Sequence, residues 1–521
     1  MTGKDESGVF DVEMSKRDFL KNGGAALTFA ALSGIPSVAS SMSHLKSMSR
    51  DEIVRMSLSE GVEALNSGKL SSAEYNQACL KQYEKFREYN IFAQVSYHTI
   101  EEAGPTIDQK RSSGMKVGAL QGAPYALKDS IDIIEYYTIA GHPSLRTFEP
   151  LVDADLVSVY KEADGVCLGK TQLPPLSAWY ATENPMTGYT GNPFNIDFKT
   201  GGSSGGSGAA VAARIVPFAI GGDTGGSIRV PAAMNGVQGF RPSSGRWPAA
   251  GAIPICFADV LGPIARSVAD IKLLDTISAS DHPENRPSQV DLAQIRIGYQ
   301  KDWFFADLHP WVEDNLEETM SALSAAGAEL IEVDGMPAES CHQNIYLFAF
   351  SDLPGNIARY FSRHRVYDVS AFSLLHEFTT DSFKKLWLNG MKDSVSGEEY
   401  FKVVAVLMKD RETHGRIMAE NEIDVFMYPT TKIPNMPSDG PDVMWAEGPL
   451  GKMLHESEMG GNMLFSPALR TPSLSMYSGM DKRGMPLGMT FDGYADQDRR
   501  LLDIAEAIEK VMPPVVEPES I

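Results

Sequence analysis

Gly201-Gly202-Ser203-Ser204-Gly205-Gly206-Ser207-Gly208 and Gly221-Gly222-Asp223-Thr224-Gly225-Gly226-Ser227-Ile228-Arg229-Val230-Pro231, separated by the mostly apolar residues 209–220, form the stretch on which the fold turns. Glycine is far denser here than a linker requires. It lets a backbone adopt positive φ and lets a ligand or another main chain come close. The apolar insert ties both glycine loops to a core, which a flexible linker does not do. Two loops held at fixed positions by buried structure are a place for chemistry.

Working outward, short apolar runs at 125–127, 166–168 and 216–220 are flanked by glycine or proline and read as strands. A strand at 297–299 leads to a helix carrying Val312, Leu316, Met320 and Leu323, then to a strand at 329–333, which makes a βαβ unit. Residues 424–428 read as a strand closed by Pro429, and Leu501, Leu502, Ile504, Ala505 and Ile508 give a final amphipathic helix. Nearer the start, 51–89 reads as two helices broken at Asn66-Ser67-Gly68, with Ser71-Ser72-x-Glu74 restarting the second. Strands alternating with helices imply an α/β layout. Residues 336–409 are helical and aromatic, either a lid or more core. Nothing after residue 42 resembles a linker or a repeat, so 43–521 is read as one domain.

Three readings of the glycine loops compete. A phosphate-binding loop needs a Gly-Lys-Ser/Thr ending, which is missing. A nucleophile elbow at Gly202-x-Ser204-x-Gly206 needs a strand directly before it, and 195–199 is a poor one. The third reading uses both loops together. From Gly201 through Pro231 the sequence resembles the amidase-signature family almost position by position, and Gly122-Ala123-Pro124-Tyr125-Ala126-Leu127-Lys128-Asp129 is similar to that family's lysine strand. The resemblance runs over residues 49–511. It implies one large mixed, twisted sheet covered by helices on both faces.

It also implies a Ser-Ser-Lys relay, in which Ser227 is the nucleophile, Ser203 the bridging serine and Lys128 the base. The bridging serine stands 24 residues before the nucleophile, which selects Ser203 and makes Ser204 a supporting neighbour. A cis peptide before Ser203 belongs to the same expectation. Physically, a serine hydroxyl is a poor nucleophile until its proton is taken, and lysine can take it only when neutral. Burial after an apolar strand drives lysine in that direction, whereas Asp129 would oppose it if turned inward. Consecutive N–H groups of Thr224, Gly225, Gly226 and Ser227, ahead of a helix starting near Ile228, suit an oxyanion hole. Side chains at Gly225 or Gly226 are expected to crowd the substrate carbonyl. Asp223 and Arg229 are read as bracing the loop.

The expected reaction is hydrolysis of a linear carboxylic amide to acid and ammonia through an acyl-enzyme. Residues 239–248, 491–493 and 498–502 resemble the indoleacetamide and mandelamide hydrolase branch, which points to a small arylalkyl amide; aliphatic amides stay open. The alternatives are an esterase-like hydrolase and an amidotransferase A-type subunit. No metal or organic cofactor is implied.

A formal charge of −22 argues against nucleic acid as a partner. Lys16-Arg17 before the mildly apolar 23–39 has the order of an export signal, similar to a twin-arginine signal with lysine in the first place. Residues 1–42 are therefore read as a signal cleaved near Ala39, with a periplasmic destination, or a cytoplasmic one if the signal does not act. No stable membrane association is expected after cleavage, and a homodimer is left open. Cys79, Cys167, Cys256 and Cys341 show no metal or redox spacing and are read as buried thiols, with disulfides open on export.

Overall fold

Each expected strand forms, with its ends moved by up to three residues. The computed structural model describes residues 10–11, 48–253, 258–279, 289–377, 384, 388, 395–439, 443–445, 453–455 and 459–521. The segment 1–42 read as a signal lies outside these apart from Phe10–Asp11, and Cys256 lies outside them too. Cys79, Cys167 and Cys341 are buried free thiols.

The main sheet is built from β1 (Phe92–Val95), β2 (Pro124–Lys128), β3 (Val166–Thr171), β4 (Phe218–Asp223), β5 (Gln238–Arg241), β6 (Val260–Ala265), β7 (Arg296–Tyr299), β8 (Glu329–Glu332), β9 (Val425–Pro429), β10 (Ser473–Met480) and β11 (Pro486–Asp492). Their spatial order is β1-β3-β2-β4-β6-β5-β10-β11-β9-β7-β8, and Phe10–Asp11 pairs in parallel outside β1. The sheet is mixed: β2 runs parallel to β3 and β4, whereas β6 is antiparallel to both β4 and β5. Strand β4 starts after Pro217, which has no N–H to give a ladder. The expected βαβ unit is β7, α6 (Pro310–Ala325) and β8, with the strands in parallel register.

Both faces of the sheet are covered. Along β9, Val425 and Met427 join one core while Phe426 and Tyr428 join another, the alternation a strand imposes. At the start of the chain three helices form rather than two: α1 (Arg50–Arg55), α2 (Leu58–Asn66) and α3 (Ser72–Lys85). The extra break falls at Ser57, whose side chain makes a capping box with Glu60, just as Ser71 does with Glu74. Between the glycine loops lies α4 (Gly205–Ala212), and after them α5 (Arg229–Met234). A Cβ on Gly206 would stand 2.6 Å from the Gln172 amide, so the glycine run lets α4 begin against a neighbouring main chain.

The region 336–409 is mostly two long helices, α7 (Ala338–Arg363) and α8 (Gly397–Glu420), the second running past the expected end. Its aromatic residues divide: Phe348, Tyr360 and Phe361 are buried, whereas Tyr346 is 42% exposed. Near the end of the chain come α9 (Phe465–Leu469) and the final helix α10 (Asp498–Glu509).

Candidate active site

Lys128 is the last residue of β2 and Asp223 the last of β4, and these strands are parallel neighbours. Both glycine loops therefore meet the lysine at the carboxyl ends of the strands, where open α/β sheets place their sites. Burial of Lys128 is almost complete, at 2% exposure, and its Nζ donates to Ser203 Oγ at 2.6 Å. Burial pulls the ammonium down to about 7, against the pull of the Asp259 and Asp223 carboxylates. Asp129 takes no part in that, because its carboxylate pairs with Lys170 at 3.4 Å and accepts from Gln94.

Ser203 follows a cis peptide from Gly202. The Ser204 amide donates to the Ser227 carbonyl at 3.1 Å, which brings the second loop against the first. Ser204 Oγ is in contact with both the amide and the carbonyl of Gly222 at 3.3 Å. Ser227 sits just ahead of α5 and is 8% exposed.

Asp223 organises the second loop. Its carboxylate accepts two bonds from Arg229, each 3.0 Å, and one each from the Gly226 and Ile228 amides. Its carbonyl accepts from Arg241 at 2.6 Å. Although burial pushes the carboxyl up, the two guanidiniums and the Gly226 amide hold it down at about 2. Arg229 continues outward to the Met463 carbonyl and Ser466 Oγ, tying the loop to the segment around α9.

Two expectations change here. Gly226, read as an oxyanion donor, has its N–H engaged by Asp223 at 2.9 Å; among the described residues the Thr224, Gly225 and Ser227 amides have no partner. The reason for glycine also differs. A Cβ on Gly226 would lie 2.5 Å from Met463 Cβ, and one on Gly225 would lie 2.8 Å from Leu464 Cδ2. Packing of residues 463–464 on the loop accounts for both.

Lys128, Gly222, Asp223 and Thr224 border an open cavity of about 620 Å³, together with Ile253, Leu261, Asp259 and the α7 residues Asn356, Arg359 and Tyr360; neither Ser203 nor Ser227 lines it. None of the distant wall residues carries a local motif, so sequence reading did not single them out. Tyr180, which donates to the Gly225 carbonyl at 3.1 Å, was missed for the same reason. Of the segments quoted for the arylalkyl branch, 239–248 and 498–502 hold the fold together: Ser243 donates to Asp498 at 2.6 Å, at the start of α10, and Arg246 to Asp275 at 2.8 Å, in the helix Val268–Ser278.

Comparisons with known proteins follow the same outline. A family model described as Amidase matches residues 74–502. Mandelamide hydrolase of Pseudomonas putida is 28% identical over 480 residues, covering 89% of this chain and 92% of that protein. The A-type subunit of glutamyl-tRNA(Gln) amidotransferase from Chromohalobacter salexigens is 32% identical over 402 residues, covering 72% of this chain and 82% of the other. Among solved structures, native peptide amidase from Stenotrophomonas maltophilia superposes with a TM-score of 0.75 at 25% identity, over 89% of this chain and 98% of that one.

Proposed function

The chain belongs to the amidase family, and from that premise we propose that it hydrolyses a small carboxylic amide through a serine acyl-enzyme, with Ser227 as nucleophile, Ser203 as bridge and Lys128 as base. The observation that carries this reading is the 2.6 Å hydrogen bond from Lys128 Nζ to Ser203 Oγ, made by a buried lysine whose ammonium is pulled down to about 7.

In the proposed mechanism Ser227 Oγ attacks the amide carbonyl carbon as its proton passes to Ser203 Oγ, and the proton of Ser203 passes to Lys128 Nζ. The carbonyl oxygen, now negative, takes hydrogen bonds from the unengaged amides of the loop, Thr224 and Gly225 foremost. Collapse breaks the C–N bond, and the proton returns along the same path to the departing nitrogen. Water then enters by the reverse sequence and releases the acid. One relay thus acts as base and then as acid.

For the substrate, an arylalkyl primary amide is the favoured class. The cavity beyond Lys128 has apolar walls at Ile253, Leu261 and the Tyr360 ring, and about 620 Å³ is ample for a single ring and its linker. Similarity to mandelamide hydrolase supports the same class.

Ammonia release from a panel of aryl and aliphatic primary amides tests the proposal, with glutamine included because an amidotransferase component is also a relative. Wild-type turnover that drops by roughly 10³-fold or more in Ser227→Ala and in Lys128→Ala supports the relay. An inert wild-type enzyme counts against the reaction, and variants that keep full activity count against the residue roles. Activity on glutamine alone favours the amidotransferase reading.

A further inference from the structure

Tyr180 touches both glycine loops although it belongs to neither. The residues around it, 179–182, lie as a strap across them. Thr182 Oγ1 donates to the Gly201 carbonyl at 2.9 Å and accepts from the Gly205 amide at 3.0 Å. A Cβ on Gly202 would stand 2.8 Å from the carbonyl carbon of Tyr180, so the main chain of the strap packs against the residue before Ser203. On the second loop, the Tyr180 hydroxyl donates to the Gly225 carbonyl at 3.1 Å. Its ring occupies the space into which a Cβ on Gly460 would project.

We propose that Tyr180 is a positioning residue for the oxyanion hole, acting by fixing the peptide group between Gly225 and Gly226. This rests on the reading of Ser227 as nucleophile. The peptide group is held at both ends, its oxygen by Tyr180 and its N–H by Asp223 Oδ1 at 2.9 Å. Two adjacent glycines have no Cβ to restrict their torsions, so a peptide between them turns over easily unless it is tied. A turn of that plane shifts the Gly225 and Ser227 amides on either side of it, which are among the donors without a partner among the described residues. Such donors help only when they already point at the developing charge. Without the Tyr180 hydroxyl the plane keeps its Asp223 bond alone.

Proton accounting gives the direction of the neighbouring bond. Tyr180 Oη lies 3.1 Å from Tyr346 Oη, on α7. A phenol has one proton to donate, and that of Tyr180 goes to Gly225, so Tyr346 donates and Tyr180 accepts. Burial pushes the Tyr180 phenol well above its usual range, so the proton stays in place at working pH.

Tyr180→Phe keeps the ring beside Gly460 and removes only the hydroxyl. On an amide that the panel shows to be turned over, kcat is expected to fall about tenfold, with KM within about twofold of wild type and the melting temperature retained. Tyr346→Phe leaves the bond to Gly225 in place and is expected to keep kcat within about twofold. A second readout needs no amide. A fluorophosphonate labels a serine nucleophile as Oγ displaces fluoride, with the phosphoryl oxygen in the oxyanion's place, and its rate with Tyr180→Phe is expected to fall about tenfold across the whole pH profile. A rise in KM with kcat kept would make Tyr180 a substrate contact and overturns the proposal. So does a fall confined to low pH, which would put the effect on Lys128. Mass spectrometry of the labelled protein separates the two levels of the argument. Wild-type protein left unlabelled at Ser227 refutes the nucleophile reading, and this inference falls with it; label at Ser227 that forms as fast in Tyr180→Phe overturns the role of Tyr180 alone.

Discussion

At the scale of single residues, the proposed mechanism makes Lys128 decide when the site can work. A base that must be neutral is available above its own pKa, which burial has brought to about 7, so kcat/KM is expected to climb with pH through 7 and level off above it. Asp259 adjusts that limb. Its negative charge favours the protonated lysine, so removing it makes Lys128 easier to deprotonate. Asp259→Asn is therefore expected to move the acid limb of the pH–rate profile to lower pH while the plateau rate changes less. A limb that stays in place, or moves up, would show that Lys128 is not the group being titrated. The lysine and both serines could be assigned from resemblance because they sit in short local motifs. Asp259 had no such signal, since only the fold brings it to the lysine.

The loop 223–229 is the element on which these residues depend, and its stability has a clear source. Arg229 and Asp223 are both fully buried, and removing one charge leaves the other without compensation. Asp223→Asn is expected to cost about 3–5 kcal/mol, measured by urea unfolding. Since the folded Asp223 carboxyl is held at about 2, below its usual 3.8, the pair stabilises the fold above pH 4 and that contribution is lost as pH falls through 2. Glycines in the same loop are expected to respond unequally. At Gly226, φ is +110° and an added Cβ meets the stiff Cβ of Met463, whereas at Gly225 it meets the movable end of Leu464. Gly226→Ala should thus lose more stability and activity than Gly225→Ala, by about 1–3 kcal/mol in melting experiments. Bracing by Asp223 and Arg229 was legible in the sequence. The contact with Met463 was not, because more than two hundred residues separate it from the loop.

Across the whole molecule, legibility follows sequence distance. Strands such as β2 and the βαβ unit of β7, α6 and β8 announce themselves by local apolar patterning, and the helix start at Ser71 by its glutamate, whereas the same box at Ser57 went unread. Strand order, and the partner of each long helix, depend on residues far apart and were open until the fold was in hand. Helix α7 illustrates the point: its aromatic pattern suited either lid or core, and the structure shows core, with Phe361 and Tyr360 both buried while Asn356, Arg359 and Tyr360 also border the cavity at Lys128. What fastens it is Asp132, four residues beyond Lys128 and fully buried. This carboxylate accepts from Tyr360 Oη at 2.7 Å and Thr138 Oγ1 at 2.8 Å, and pairs with His364 Nε2 at 2.9 Å. The His364 Nδ1 accepts from the Leu151 amide, so Nε2 is the nitrogen that donates. Two of the three donors come from α7 or the residue after it, and through them the cavity wall is fixed to the loop that follows Lys128. Asp132→Asn puts an NH2 where three donors converge and should destabilise the protein by about 3–5 kcal/mol. The kinetic effect should be uneven, because Asn356, Arg359 and Tyr360 border the cavity while the Lys128–Ser203 bond needs nothing from α7. KM for an arylalkyl amide is therefore expected to rise several-fold more than kcat falls, and Tyr360→Phe, which removes a single donor, should show the same split more weakly. A fall in kcat with KM unchanged in both variants would mean that α7 acts on the proposed relay rather than on the cavity wall.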